Sequence, residues 1–382
     1  MRDKTKGHIL VVSDPLAAPG YLPRVRFLCD YLQQQGYQVK LLTEEYQALD
    51  FRHSYVIHRL RMYDGSTLDW AVKTLWTLLT DWHNRAFANR FYDGIRYDLV
   101  ICTTFSDFPL GAAQRIAKRM HVPLLCDIRD VDEQVDDSRY QYHHRTWWTM
   151  PFRKIYRAVH IRRRNKVLRQ ADAVMTVSEW HKAFIEQFNT HVYTIYNGYD
   201  PQQFFPSDEK TERFIIRYIG SLFDWQQPAL DLVQQAVDEL NKSQITNQKS
   251  KIQLDIHTPQ SAPIAHEQLG DAIRQSSMML VLTDCHTHGM LTTKFYEALG
   301  CAKPILCVPS DRGELARLIE TTNAGIATSD KEAIKAFITD KYEEWRANRC
   351  THQDVHGRET FSRENQCRQV EQIIKHYNEN RK

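Results

Sequence analysis

Three consecutive stretches decide the fold class. They are Asp98-Leu99-Val100-Ile101-Cys102-Thr103, a helical pattern over Pro109–Met120, and Pro123-Leu124-Leu125-Cys126-Asp127-Ile128. The two apolar runs are continuous rather than alternating, which marks strands buried on both faces of a parallel sheet. A helix between two such strands implies a right-handed crossover. The same grammar extends outward to strands at His8–Ser13, Val39–Thr43, Ala173–Val177 and Val192–Tyr196, with helices at Tyr21–Gln35 and Glu179–Phe188.

A turn-rich stretch, Asn197-Gly198-Tyr199-Asp200-Pro201, interrupts the pattern, and Pro206-Ser207-Asp208-Glu209-Lys210 continues it as a linker. Strands then resume at Phe214–Ile219, Ile252–His257, Met278–Thr283, Pro304–Val308 and Gly325–Thr328. Helices are expected at Pro228–Asn241, Thr293–Gly300 and Gly313–Glu320, and Ser329-Asp330-Lys331-Glu332 has the spacing of a capping box that opens another. The expected fold is therefore α/β, with two doubly wound, Rossmann-like parallel-sheet domains at 1–200 and 201–360. Residues 361–382 form a helix that can pack back on the first. Ligands of such sheets bind outside the carboxyl ends of the strands, so the natural site is a cleft between two facing halves.

Composition excludes several classes. The net charge of +3 in 382 residues is too small to indicate a polyanion partner by itself. No apolar run approaches the roughly 20 residues that span a bilayer. The short run His8–Val12 reads as a first strand rather than a signal peptide. Eight cysteines occur without a C-x-x-C pair, and Cys102, Cys126 and Cys307 lie inside strand patterns. Buried thiols in a reducing cytoplasm are expected, with no metal site. Trp70, Trp76 and Trp82 recur at helical spacing and are expected in the core; residues 242–251 read as a solvated loop.

The stretch most suggestive of chemistry runs Thr292-Thr293-Lys294-Phe295-Tyr296-Glu297-Ala298-Leu299-Gly300-Cys301-Ala302-Lys303-Pro304-Ile305-Leu306. It reads as a loop, a short helix, a glycine stop and a buried strand. Lys294 and Glu297, three apart, share a helix face. The helix N-terminus, with free N–H groups and partial positive charge, suits a diphosphate. Lys294 would add a cation, and Glu297 would accept from sugar hydroxyls. The plainer alternative is a solvent-facing ion pair.

This block resembles the donor-nucleotide helix of GT-B glycosyltransferases of family 4. Other stretches resemble the same family in order. Ser13–Leu32, with Pro19-Gly20, Arg24 and Arg26, is similar to its N-terminal loop and helix. Cys126-Asp127-Ile128-Arg129-Asp130 is similar to a strand end written Asp-Phe-Arg-Asp in one subgroup of surface-polysaccharide enzymes. Ala171–Ser178, Tyr196-Asn197-Gly198-Tyr199-Asp200 with Phe204 and Pro206, and Tyr218-Ile219-Gly220-Ser221-Leu222 complete the series. The resemblance implies a retaining transferase of the hexosyl type that needs no metal and no cofactor beyond a UDP- or GDP-sugar. It implies a donor site of Gly220, Ser221, His288, Gly289, Thr293, Lys294 and Glu297, in which Glu297 holds the ribose and Lys294 the phosphates.

Two positions depart from the family pattern. Gly289 stands where the family has the first of two glutamates, in the loop Asp284-Cys285-His286-Thr287-His288-Gly289-Met290. Phe223-Asp224-Trp225-Gln226-Gln227-Pro228 lacks the base that usually follows the glycine loop, which leaves Arg217 as a further candidate. In the first domain Asp127, Arg129 and Asp130 sit at a strand's carboxyl end. Asp127 or Asp130 can orient an acceptor hydroxyl and Arg129 can neutralise phosphate; alternatively they hold the strand end.

Independently of any resemblance, residues 139–169 hold ten Lys/Arg and no Asp or Glu: Arg139, Arg145, Arg153, Lys154, Arg157, Arg162, Arg163, Arg164, Lys166 and Arg169. Tyr140, Tyr142, Trp147, Trp148, Phe152 and Tyr156 are interleaved. An anionic membrane favours this mixture; a solvated helix is the bland alternative, and no nucleic-acid motif accompanies it. The expected activity is transfer of a sugar to a lipid-linked or polysaccharide acceptor by a cytoplasmic, peripheral membrane protein. Two alternatives stay open: a non-catalytic sugar-binding partner in a polysaccharide-synthesis complex, and a GT-B sugar-nucleotide epimerase.

Overall fold

The computed structural model describes residues 6–14, 23–45, 55–135, 150–243, 251–284 and 286–379, without the side chains of 150–153 and 379. Two compact units emerge: Met1–Tyr196 with Cys367–Lys382, and Asn197–Gln366.

The first unit contains β1 (His8–Ser13), α1 (Pro23–Gln34), β2 (Gln38–Glu44), β3 (Val56–Leu60), α2 (Thr67–Thr80), α3 (Trp82–Arg90), β4 (Leu99–Thr104), α4 (Leu110–Met120), β5 (Leu124–Ile128), α5 (Met150–Leu168), β6 (Ala173–Thr176), α6 (Glu179–Ile185) and β7 (Val192–Thr194). Its sheet has the order β3-β2-β1-β4-β5-β6-β7, with parallel pairing throughout. The continuous apolar runs are explained by two covered faces. Leu10, Val12, Val100, Cys102, Cys126 and Ile128 face one core with Phe87 and Ile116. Ile9, Val11, Leu99, Ile101, Leu125 and Met175 face the other, with Leu28 and Leu32 of α1 and with Cys367, Val370, Ile373 and Ile374 near the chain's end.

The second unit contains β8 (Ile215–Ile219), α7 (Gln227–Lys242), β9 (Gln253–His257), α8 (Leu269–Arg274), β10 (Met278–Leu282), α9 (Thr293–Gly300), β11 (Ile305–Val308), α10 (Glu314–Thr321), β12 (Gly325–Ala327) and α11 (Lys331–Asn348). Its parallel sheet has the order β12-β11-β10-β8-β9. A last helix, α12 (Arg363–Glu379), leaves this unit and ends in the first. The strand order reverses direction between β1 and β4 in one sheet and between β8 and β10 in the other. These are the switch points at which doubly wound sheets bind ligands.

Several local expectations change. The α9 helix does not end on a left-handed glycine: Ala302 takes the positive φ of 51°. Gly300 is needed for space, since a Cβ there would lie 2.6 Å from Tyr199 Cδ2. Asp330, rather than Ser329, caps α11, accepting from the Ala333 amide at 2.9 Å. The tryptophan series is not a core stripe. Trp70 and Trp76 are 57% and 53% exposed, and only Trp82 packs against the core. Six of the seven described cysteines are buried, and no disulfide joins any of the seven; the remaining cysteine, Cys285, lies outside the described residues, as do 244–250 of the expected loop.

Candidate active site

In the second unit β8 ends at Ile219, and the chain turns through Gly220 with φ of 144°. Few side chains adopt that conformation. The Gly220 amide donates to the His257 carbonyl at 2.9 Å, and the Tyr218 hydroxyl donates to the Ser221 carbonyl at 2.6 Å. The neighbouring strand β10 leads into α9, whose first turn is capped by Thr292: its hydroxyl accepts from the Lys294 amide at 3.4 Å. Thr293 opens the helix and is exposed.

Lys294 folds over the glycine turn. Its Nζ lies 5.5 Å from the centre of the Tyr218 ring. A Cβ on Gly220 would be 2.3 Å from Lys294 Cε and 2.6 Å from Nζ. The absence of a side chain at 220 therefore creates the place that the ammonium occupies. Burial lowers the Lys294 pKa and the charge of Glu297 opposes that shift. Burial raises the Glu297 carboxyl, against the pull of Lys294 and Arg363. Among the described residues no hydrogen bond closes on the Lys294 ammonium or the Glu297 carboxylate. The two are partly exposed rather than a solvent-facing pair.

The loop before α9 is knit by Asp284, which accepts from the His286 amide at 3.0 Å and the Thr287 hydroxyl at 3.1 Å. His288 is exposed. Gly289 has φ of 65°, a left-handed turn that a glutamate would occupy only under strain. Gln226 holds the loop after Gly220, its Nε2 donating to the Leu282 carbonyl at 3.0 Å and its Oε1 accepting from the Phe223 amide at 3.0 Å. Arg217 is not an available cation: its Nε donates to Asp255 Oδ2 at 3.0 Å, and it also bonds the Ala272 carbonyl. Lys303 of the Lys-Pro pair is buried against the Thr351 carbonyl, 3.5 Å away.

In the first unit Asp127 is 2% exposed and fully engaged. Its oxygens accept from Arg24 Nη2 at 2.9 Å, Arg24 Nε at 3.3 Å and the Thr103 hydroxyl at 2.9 Å. Arg24 continues to the carbonyls of Ile195 and Tyr196, at 2.9 and 2.7 Å. This ties α1, β5 and the end of β7 together. Arg26 is exposed beside Asp30; Pro19-Gly20 lies outside the described residues. Arg129 points differently. Its guanidinium lies over the Phe105 ring at 5.6 Å and 3.7 Å from Asp14 Oδ2. Its Nε and Nη2 are buried without a hydrogen-bond partner. Asp130 follows with much of its surface open to solvent, yet burial of its carboxyl raises its pKa against the pull of Arg129 and a hydrogen bond from Gln134.

Asp107 and His160, which carry no sequence motif, meet at the same sheet edge. His160 Nδ1 bonds Asp107 Oδ1, while Asp107 Oδ2 and His160 Nε2 are buried without a hydrogen-bond partner. The pair can take a proton from a hydroxyl, and Arg129 can hold an anion. Only their chain separation of 53 residues concealed the pair.

The basic stretch also divides. Arg164 is 2% exposed and bonds Glu133 Oε1 at 2.7 Å. Arg163 donates to the Thr77 and Leu78 carbonyls at 2.8 and 2.7 Å, and Arg157 to the Asp132 carbonyl at 2.6 Å. Lys154, Arg162, Lys166 and Arg169 are exposed. Residues 139–149, with Tyr140, Tyr142, Trp147 and Trp148, and the side chains of Phe152 and Arg153, lie outside the description. Among the described residues no helix is long and apolar enough to cross a membrane.

Comparison with known proteins bears on this geometry. Residues 24–203 match the family model described as Glycosyltransferase Family 4. No curated protein matches the chain in sequence. Among solved structures, HepE of Anabaena in complex with UDP and glucose aligns with TM-score 0.60 at 12% identity, over 97% of this chain and 99% of that one. WaaG, a glycosyltransferase involved in lipopolysaccharide biosynthesis, aligns with TM-score 0.57 at 11% identity, over 96% and 99%. The glycotransferase of kitacinnamycin aligns with TM-score 0.53 at 13% identity, over 97% and 99%. The chain thus has the GT-B fold, and residues 24–203 carry the signature of Glycosyltransferase Family 4.

Proposed function

We propose that the chain is a retaining glycosyltransferase of the hexosyl type, taking a sugar from a UDP- or GDP-sugar to a lipid-linked or polysaccharide acceptor. One observation carries the donor part: Lys294 lies in the space left by Gly220, at the amino end of α9 and the switch point of its sheet. That is a prepared seat for a diphosphate. The complexes of HepE with UDP and glucose support the nucleotide class.

In this account the α9 amides, with Thr293 at the helix start, and the Gly220-Ser221 turn hold the phosphates. Glu297 accepts from the ribose hydroxyls. The loop of His288 and Gly289 faces the sugar through its backbone. As the bond from the anomeric carbon to the phosphate oxygen lengthens, negative charge grows on the diphosphate. Lys294 stabilises it most at that moment. On the acceptor side Arg129 meets an anionic group, Asp130 orients the incoming hydroxyl, and the Asp107–His160 pair takes its proton. Asp127 keeps the strand end in place through Arg24. In this reading the charge is met by Lys294 and the helix amides, without a metal. The exposed bases of α5 favour an acceptor at the cytoplasmic face of an anionic membrane, in surface-polysaccharide assembly.

Gly289 favours a second reading, binding without transfer, because it leaves the sugar no glutamate. Incubation of the full chain with UDP- and GDP-sugars and lipid-linked acceptors tests both. Nucleotide release with a glycosylated product of unchanged anomeric configuration is expected. Binding with no release identifies a sugar-binding partner, and a changed sugar from donor alone identifies an epimerase.

A further inference from the structure

The α2 helix is inside out. Leu68, Val72, Leu75, Trp76 and Leu79 follow helical spacing and are 75%, 57%, 59%, 53% and 69% exposed. They form an outward stripe about 16 Å long at 1.5 Å per residue. The inward face is sparse: Thr77 is buried, and Lys73 pairs with Asp69 at 2.6 Å. The helix is nevertheless well made. Ser66 caps its start, accepting from the Asp69 amide at 3.1 Å, and Asp81 closes its end with φ of 57°. An ordered helix that turns five large apolar residues outward is exceptional on a monomer's surface.

The charges that α5 brings beside the stripe are of one sign. Arg163 of α5 bonds the carbonyls of the last turn of α2, so the two helices are joined there. The exposed groups of α5 include Lys154, Arg162 and Lys166, with Ile155 at 60% and Tyr156 at 42% exposure. No acidic residue occurs from 139 to 169. Of the acidic groups flanking α2, Asp69 is paired by Lys73 and Asp81 by Arg115 and Arg163, while the exposed Asp64, at the far end from α5, accepts from the Ser66 amide at 2.9 Å. A second copy on this stripe would bring like charges together across a two-fold axis. An anionic bilayer would take up the apolar side chains and neutralise the bases.

We propose that α2 is an interfacial membrane helix. Its Leu68–Leu79 stripe enters the acyl boundary while the bases of α5 meet anionic headgroups. This deepens the membrane part of the functional reading and rests on it for the nature of the acceptor, but the donor site is not involved.

The test uses the full chain and sedimentation with vesicles of phosphatidylcholine, alone or with phosphatidylglycerol. Wild type is expected to sediment with the anionic vesicles, less so as salt rises. Leu75→Glu with Leu79→Glu is expected to reduce partitioning at least tenfold while circular dichroism and UDP affinity stay unchanged. Lys154→Glu with Arg162→Glu should remove the salt-dependent part only. Brominated lipid should quench wild type more than Trp76→Phe. The proposal is overturned if wild type stays in the supernatant, or if the double leucine variant binds as well as wild type. It is also overturned if that variant instead dissociates a dimer of the free chain. Failure of UDP binding with intact vesicle binding would overturn the donor reading and leave this one standing.

Discussion

Replacing Gly220 by alanine perturbs the second unit at two separable levels. The φ of 144° is a region open essentially to glycine, so the change should cost about 1–3 kcal/mol of stability. The new Cβ would also lie 2.3 Å from Lys294 Cε, well inside the ~3.5 Å of an ordinary carbon contact. The flexible lysine tip must therefore withdraw by about 1 Å or more. If that ammonium makes a charge-assisted bond to the diphosphate, about 1.5–3 kcal/mol of affinity is lost, or roughly 10- to 150-fold in Kd. The assay is calorimetric titration of UDP into wild type, Gly220→Ala, Lys294→Ala and the double variant. Each single change should weaken UDP by a similar factor. The double should be little weaker than Lys294→Ala, because alanine at 294 removes the group that Gly220 accommodates. Thermal unfolding should still show the backbone penalty in both Gly220→Ala chains. Additive losses of affinity, or unchanged affinity in Gly220→Ala, would refute the link between glycine and lysine.

Three further outcomes follow from the same geometry. Glu297, raised by burial, must ionise to accept from ribose, and Lys294, lowered by burial, must stay protonated. UDP affinity should therefore weaken toward acid as Glu297 protonates and toward alkali as Lys294 loses its proton, and Glu297→Gln should reduce the acid limb to the part set by the terminal phosphate of UDP itself while sparing the alkaline limb in the same titrations. His181 is 1% exposed, with burial and Arg164 pushing its pKa from 6.5 down to about 4. The unfolded chain binds that proton first, so stability present above pH 6.5 is lost as pH falls toward 4, by about 3 kcal/mol in all; urea unfolding of His181→Gln should show a correspondingly flatter acid dependence. Ile374 is fully buried in the first unit's core, and Ile374→Ala should cost about 2–5 kcal/mol in denaturant unfolding.

Much of the fold was legible because its strands are buried on both faces. Leu99–Thr104 and Leu124–Ile128 show no polar alternation to confuse with a surface strand. The bounds of α9 were legible, with Thr292 capping its start, although its end is turned by Ala302 and Gly300 serves close packing instead. Trp82 packs on the core as its spacing suggests, but Trp70 and Trp76 do not, for a physical reason: helical spacing identifies an apolar face but not its direction, and the face of α2 points outward. The charged groups were least legible. Arg217 looked available until Asp255, 38 residues away, took it. Asp127 is satisfied by Arg24 at a separation of 103 residues, whereas Arg129 only two positions later retains unmet donors. Local pattern identifies the strand end, but distant side chains decide which of its charges remain free for a ligand.

The most direct test of the central claim is saturation-transfer NMR on the intact chain with UDP- and GDP-sugars. The account predicts saturation reaching the ribose and base protons of one nucleotide class, abolished in the folded Lys294→Ala, Glu297→Ala double variant. No transfer to either nucleotide at millimolar concentration, or equal transfer in that double variant, would contradict it.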